Sequence, residues 1–161
     1  ESTSFIKKSK KNIYILGDNF FYGKNFIRNL KKSVKKNSGS TIFLHKSNNL
    51  SQYGVAEIRN ANITKLVEKP KKPKEGFAIT GLYIFNDQLK KILPKIKKSS
   101  RGELEIISIL SEYHKQNALD FNILKNKFFW KDMGTMDDLL KVANFIKSKK
   151  INQRQLSRIE K

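Results

Sequence analysis

Apolar and polar positions change period several times along the chain. Asn12-Ile-Tyr-Ile-Leu16 is a short unbroken apolar run, the pattern of a strand buried on both faces, and it stops at Gly17-Asp18-Asn19. Phe26, Ile27, Leu30 and Val34 then recur at helical spacing until Asn37-Ser38-Gly39. Ser40-Thr-Ile-Phe-Leu44 reads as a second buried strand, followed by a polar loop to Tyr53-Gly54. Residues 55–58 and 63–67 flank Arg59-Asn60-Ala61-Asn62 and predict a hairpin. Pro70 and Pro73 make a stiff lysine-rich loop, and Phe77 to Phe85 predicts a longer strand interrupted by Gly81.

The second half continues the alternation. Asn86 can cap a short helix that Pro94 limits. Ser99-Ser100-Arg101-Gly102-Glu103 precedes a helix with Leu104, Ile107, Ile109 and Leu110 as its apolar positions. Residues 121–124 and 128–130 read as strands, and Thr135 caps a final helix through Leu139, Leu140, Val142, Phe145 and Ile146. There is no internal repeat and no low-complexity linker, so the pattern predicts one α/β body over residues 1–147 with a polar tail at 148–161. A chain of 161 residues is one domain's length. Folding at that size buries roughly 70% of the unfolded surface.

Composition narrows the function classes. The formal charge is +20, and Arg occurs only at Arg28, Arg59, Arg101, Arg154 and Arg158, the other cations being Lys spread along the whole chain. A nucleic-acid binder concentrates its cations on one face and uses Arg, which pairs phosphate bidentately. Dispersed Lys with abundant Asn and Ile is the signature of solvated faces and AT-biased coding, and it argues against nucleic acid as partner. Such a field still draws in small anions. Cys is absent, which excludes disulfides, thiolate metal sites and a cysteine nucleophile. No apolar run approaches the ~20 residues of a membrane helix, and a cytoplasmic protein without membrane partners is expected.

Chemistry-bearing residues stand where strands end. Asp18 follows a buried run, and Asp132 follows Phe-Phe-Trp; each is either a turn cap or a hard-oxygen ligand for Mg²⁺. Lys69, locked before Pro70, is a phosphate ligand or one more solvated Lys. Glu103 and Glu105 suit a helix start, whereas the rarity of Arg makes Arg101 a candidate phosphate fork. His45 and His114 lack ligand spacing and read as structural, and Trp130 reads as core.

The order of the punctuated pieces is more specific than any one of them. Gly17-Asp-Asn-Phe-Phe-Tyr-Gly23, Tyr53-Gly-Val, Glu68-Lys-Pro, Thr80-Gly-Leu-Tyr, Arg101-Gly-Glu-Leu-Glu-Ile and Trp130-Lys-Asp-Met-Gly-Thr occur in that sequence. From about Ile13 to Ile146 the chain resembles the thymidylyltransferase branch of the sugar nucleotidyltransferase family. The resemblance implies a partial Rossmann-like α/β/α nucleotidyltransferase sheet with a small β-hairpin excursion. It also implies transfer of a nucleotidyl group from dTTP to glucose 1-phosphate, with Mg²⁺ and release of pyrophosphate. By position, Asp18 and Asp132 match the metal ligands. Lys69 and Arg101 match the groups that meet the sugar phosphate, and Tyr53, Gly54, Glu68, Thr80 and Tyr83 match the sugar pocket. A homo-oligomer is expected of the full-length protein.

Small departures from the family pattern are Met133 for Thr, Lys131 for Leu and Ile107 for Thr. The large one is the lack of the Gly-rich Gly-x-Gly-Thr-Arg loop that wraps the triphosphate and of the segment that reads the base. The chain opens on Glu1 and is expected to be an N-terminally incomplete domain, carrying the sugar-phosphate and metal half and nearly inactive alone. Three rivals remain at this level: a uridylyl- or cytidylyltransferase, a non-catalytic sugar-phosphate-binding module, and a basic nucleic-acid-binding protein.

Overall fold

The structure is a computed structural model, and it describes residues 10–36, 39–73, 75–99, 102–125 and 128–149. Among the described residues, eight strands and four α-helices follow in the order β1 (Lys11–Ile15), β2 (Asn19–Tyr22), α1 (Phe26–Lys36), β3 (Ser40–His45), β4 (Gly54–Arg59), β5 (Asn62–Glu68), β6 (Phe77–Asn86), α2 (Leu89–Ile92), α3 (Ile106–Lys115), β7 (Leu119–Ile123), β8 (Phe129–Asp132) and α4 (Met136–Ser148). Short 3₁₀ turns at Leu50–Gln52 and Leu93–Lys95 complete them, the second holding Pro94 where it ends the short helix.

The ten-residue β6 organises the main sheet. It pairs antiparallel with β3 along one edge, while β1 and β4 share its other edge end to end. The last partner of β1 on that edge is Leu82 and the first of β4 is Ala78, so a gap opens beside residues 79–81. β5 extends the sheet from β4, and β7 runs parallel to β3 at the opposite side. The β-branched and aromatic run of β6 suits this central place, and every residue after Phe77 is buried.

Alternation along β6 supplies two cores. Tyr83 and Phe85, with Ile42 and Leu44 of β3, face Leu89 and Ile92 of α2 and Ile107, Leu110 and Tyr113 of α3. Leu82 and Ile84, with Phe43, face Phe26, Leu30 and Val34, the helical-spacing positions of α1. Helices therefore cover both faces of a mixed sheet, the expected α/β/α layering. Each fully buried side chain of this size contributes roughly 1.5–3 kcal/mol.

The hairpin turns through two residues, Asn60 and Ala61, both at positive φ (49° and 59°), as a type I′ connection requires. Three features depart from the sequence reading. β1 is not buried on both faces: Ile13 and Ile15, and Leu16 just after it, are about half exposed, and the edge of β1 away from β6 has no strand partner among the described residues. The stretch after Gly17-Asp18, to which the sequence pattern assigns no element, forms β2. It pairs antiparallel with β8 in a separate two-stranded sheet. α4 clamps that sheet through Phe145, whose ring stacks on Phe129 at 3.8 Å and meets Phe20 and Tyr22 edge-on. Leu104 lies before α3 rather than in it and is exposed.

Candidate active site

The gap along β6 is the floor of a cavity of about 220 Å³. Tyr53, Gly54, Glu68, Lys69, Tyr83 and Asp132 line it, together with Trp130 and Asn19, and Leu16, Ile79 and Ile106 make its apolar walls. It sits where the C-terminal end of β1 points, the place where open α/β sheets bind ligands.

Local structure explains several of these positions. Gly54 pairs with Glu68 at the start of the hairpin, and a Cβ there would lie 3.1 Å from Ile107 Cδ1 and 3.3 Å from Glu68 Oε2, so a side chain would crowd the cavity wall. The next residue, Lys69, has φ +40° and donates its backbone N–H to the Tyr53 carbonyl at 3.1 Å. A non-glycine residue held in this left-handed region at a cavity rim is the kind of strain that marks functional positions. The ring of Tyr53 packs 5.0 Å from that of Trp130.

Asp18 and Asp132 come together through β2–β8 pairing. Asn19 is the partner of Asp132, and the Met133 N–H donates to the Asp18 carbonyl at 2.7 Å. Asp132 Oδ1 accepts from the Gly134 N–H at 2.8 Å, and Asp18 Oδ1 accepts from Asn19 Nδ2 at 2.9 Å. Neither Oδ2 takes a protein hydrogen bond among the described residues. Burial, then the Glu68, Asp132 and Asp18 carboxylates, push the Tyr83 phenol well above its ordinary pKa, so it stays a neutral donor. Burial also raises Tyr53, against the opposing Lys131 ammonium beside it.

Glu68, Asp132 and Asp18 thus all bear electrostatically on Tyr83. Asp18 and Asp132, each with an uncommitted oxygen, have the donor chemistry that suits a hard divalent cation, which would keep waters for its remaining positions. No group of three or more potential metal ligands occurs among the described residues, so the protein alone would supply an incomplete shell.

Three predicted residues are not placed in the cavity: Asp18, which stands beside it with its carbonyl accepting from the Met133 N–H, Thr80 and Arg101. Thr80 points to the α1 side of β6, fully buried, and its hydroxyl donates to the Phe43 carbonyl at 2.9 Å. Arg101 lies outside the described residues. His45 has the structural role expected of it, with Nε2 3.1 Å from the Phe128 carbonyl oxygen. Sequence reasoning missed Asn19, which stood in plain view beside Asp18. Trp130 is buried as a core residue would be, and it is also a cavity wall. Also missed was the pair Lys131–Asp138 at 2.9 Å, which ties β8 to the first turn of α4 behind Asp132.

The chain is similar to known proteins over most of its length. The chain is 37% identical over 135 residues to the glucose-1-phosphate thymidylyltransferase of Neisseria gonorrhoeae, and 38% identical over 135 residues to that of Mycobacterium tuberculosis (strain H37Rv). These alignments cover 83% of this chain but only 47% and 46% of the relatives, so the chain spans about half the length of the proteins it matches. A Bacillus anthracis protein assigned as a glucose-1-phosphate thymidylyltransferase, solved with sucrose, superposes with a TM-score of 0.74 at 31% identity, over 87% of this chain and 55% of that one. UDP-glucose pyrophosphorylase solved with UDP-glucose shares the fold, with a TM-score of 0.79 at 19% identity, over 92% and 60% of the two chains. The profile of the nucleotidyl transferase family matches residues 1–149, and the chain belongs to that family.

Proposed function

We propose that this chain carries the sugar-phosphate and metal half of a glucose-1-phosphate thymidylyltransferase. The reaction joins dTTP and glucose 1-phosphate into dTDP-glucose and pyrophosphate. A phosphate oxygen of the sugar phosphate attacks the α-phosphorus of dTTP in line. One P–O bond forms, the bond from the α-phosphorus to the bridging oxygen breaks, and pyrophosphate departs with that bonding pair. No covalent step on the protein is required; two anions must be held together and their charge offset.

The observation that carries this reading is the single cavity lined by Tyr53, Gly54, Glu68, Lys69 and Tyr83, with Asp132 on its wall and Asp18 paired beside it. Glu68 and the Tyr83 hydroxyl bind sugar hydroxyls, and the ring of Tyr53 against Trp130 gives an apolar wall for the pyranose. Lys69 meets the phosphate as a point charge whose backbone is held by Tyr53. Arg101 is the second phosphate contact. Asp18 and Asp132 would hold Mg²⁺, which supplies charge neutralisation and alignment of phosphate oxygens when bound. The residues that wrap the triphosphate and read the base belong to the remainder of the domain.

The test is calorimetric titration of glucose 1-phosphate into this chain with Mg²⁺, beside a turnover assay with dTTP. Binding without dTDP-glucose formation is expected, and Lys69→Ala should weaken binding about tenfold, the loss of one charge-assisted contact. Absence of binding, or equal affinity in Lys69→Ala, would overturn the assignment of the pocket. Robust turnover by this chain alone would overturn the division into halves.

A further inference from the structure

One side-chain amide joins the three walls of the site. Asn19 Oδ1 accepts the Trp130 indole N–H at 2.7 Å and the Gly81 backbone N–H at 3.0 Å, while its Nδ2 donates to Asp18 Oδ1 at 2.9 Å. The orientation of the amide is dictated by chemistry. An indole N–H and a peptide N–H can only donate, so both must meet the oxygen, and the NH₂ is left facing the carboxylate. Asp in place of Asn19 would keep both acceptor bonds but lose the donor and set a charge against Asp18. An aliphatic residue would lose all three bonds.

Gly81 shows that the site is built around this amide. It lies in the gap between β1 and β4, where β6 has no strand beside it; its carbonyl accepts from Leu16, the last contact before the gap. The Gly81 N–H would then be an orphan donor on a buried strand, and the Asn19 oxygen takes the place of the missing ladder partner. A Cβ at Gly81 would fall 2.6 Å from Asn19 Cγ and 2.7 Å from its Nδ2. Room for the Asn19 amide therefore accounts for the glycine that interrupts β6.

We infer that Asn19 is a positioning residue. Through one amide it fixes the rotamer of the Asp18 carboxylate and the tilt of the Trp130 wall, and so couples the cation end of the site to the sugar end. This rests on the function proposed above for its cation and sugar roles, but the coupling of Asn19 to Trp130 and Gly81 is testable without them.

Trp130 is the only tryptophan in the chain, which makes its emission a site-specific reporter. Three measurements on the parent, Asn19→Leu, Asn19→Asp and Gly81→Ala decide the question: Trp130 emission, exchange of the Gly81 amide by NMR, and Mn²⁺ affinity by electron paramagnetic resonance. Asn19→Leu should shift Trp130 emission, speed exchange of the Gly81 amide, and weaken Mn²⁺ about tenfold, the usual effect of removing a group that orients a metal ligand. Gly81→Ala, which displaces the amide without touching it chemically, should reproduce the emission shift and the weaker Mn²⁺ binding. Asn19→Asp should leave emission near the parent's. Unchanged Trp130 emission and Gly81 exchange in folded Asn19→Leu would overturn the inference, and so would unchanged Mn²⁺ affinity where the parent binds Mn²⁺. Should Asn19→Leu not fold, parent-like emission and Mn²⁺ affinity in folded Gly81→Ala would overturn it equally. A parent that fails to bind Mn²⁺ refutes the metal assignment instead, and the Trp130 and Gly81 readouts then decide on Asn19 alone.

Discussion

Asp138 is the clearest case of a residue whose charge was legible and whose partner was not. Its carboxylate accepts from Lys131 and from Lys141, each at 2.9 Å, while its own N–H is capped by the Thr135 hydroxyl at 3.2 Å. The hydrogen bond from Lys131, then that from Lys141, holds its pKa at about 2 against the opposing effect of burial. A carboxyl depressed below its ordinary value of about 4 contributes stability above that value and loses it as pH falls toward 2. Asp138→Asn should therefore flatten the acid limb of a melting-temperature profile between about pH 4 and 2. At pH 7 it should cost about 1 kcal/mol, a charged hydrogen bond discounted for partial exposure. An unaltered acid limb would show that the pair contributes nothing. The departure from the family pattern at Lys131 is thus answered locally, by a carboxylate one helix turn into α4. Spacing along the chain could not pair them, because the contact depends on how α4 docks on β8.

At the scale of elements, what could be read depended on periodicity. α1, α4 and β6 are long and strongly patterned, and each lies where Phe26 to Val34, Leu139 to Ile146 and Phe77 to Phe85 predict it. β2 has only four residues, and its hydrogen bonds go to β8, more than a hundred positions away; no local pattern distinguishes it from a turn. The hairpin was legible from its flanks, but its two-residue turn places Ala61 at φ 59°, a conformation that costs an L-residue roughly 1–2 kcal/mol. Ala61→Gly should relieve that strain, less the greater entropy glycine loses on folding. A net gain of about 0.5–1 kcal/mol in chemical denaturation is expected, and a loss of stability would show that the turn is not strained.

For the whole molecule, the informative feature is an uncovered edge. β1 pairs only with β6 among the described residues, and Ile13 and Ile15, which alternate onto the α1 face, are 49% and 58% exposed. An open strand edge with apolar side chains is a template for association. Light scattering on this chain should show concentration-dependent self-association, reduced by Ile15→Lys, whose charge leaves the β1–β6 ladder untouched. A monomer at every concentration, or association equal in the variant, would show the edge to be inert. No helix among the described residues is long and apolar enough to cross a membrane.

The chain by itself determined the alternation of strands and helices and the identities of the charged residues at strand ends. Those follow from period, β-branching, caps and glycines, all of which act within a few residues of one another. Only the tertiary structure decided that β1 and β4 leave a gap along β6, that β2 carries Asp18 to β8 and Asp132, that Thr80 turns away from the cavity, and that Asn19 fills the break in the ladder. Hydrogen bonds and cavity walls of this kind join residues tens of positions apart. They exist only once packing has chosen which faces meet.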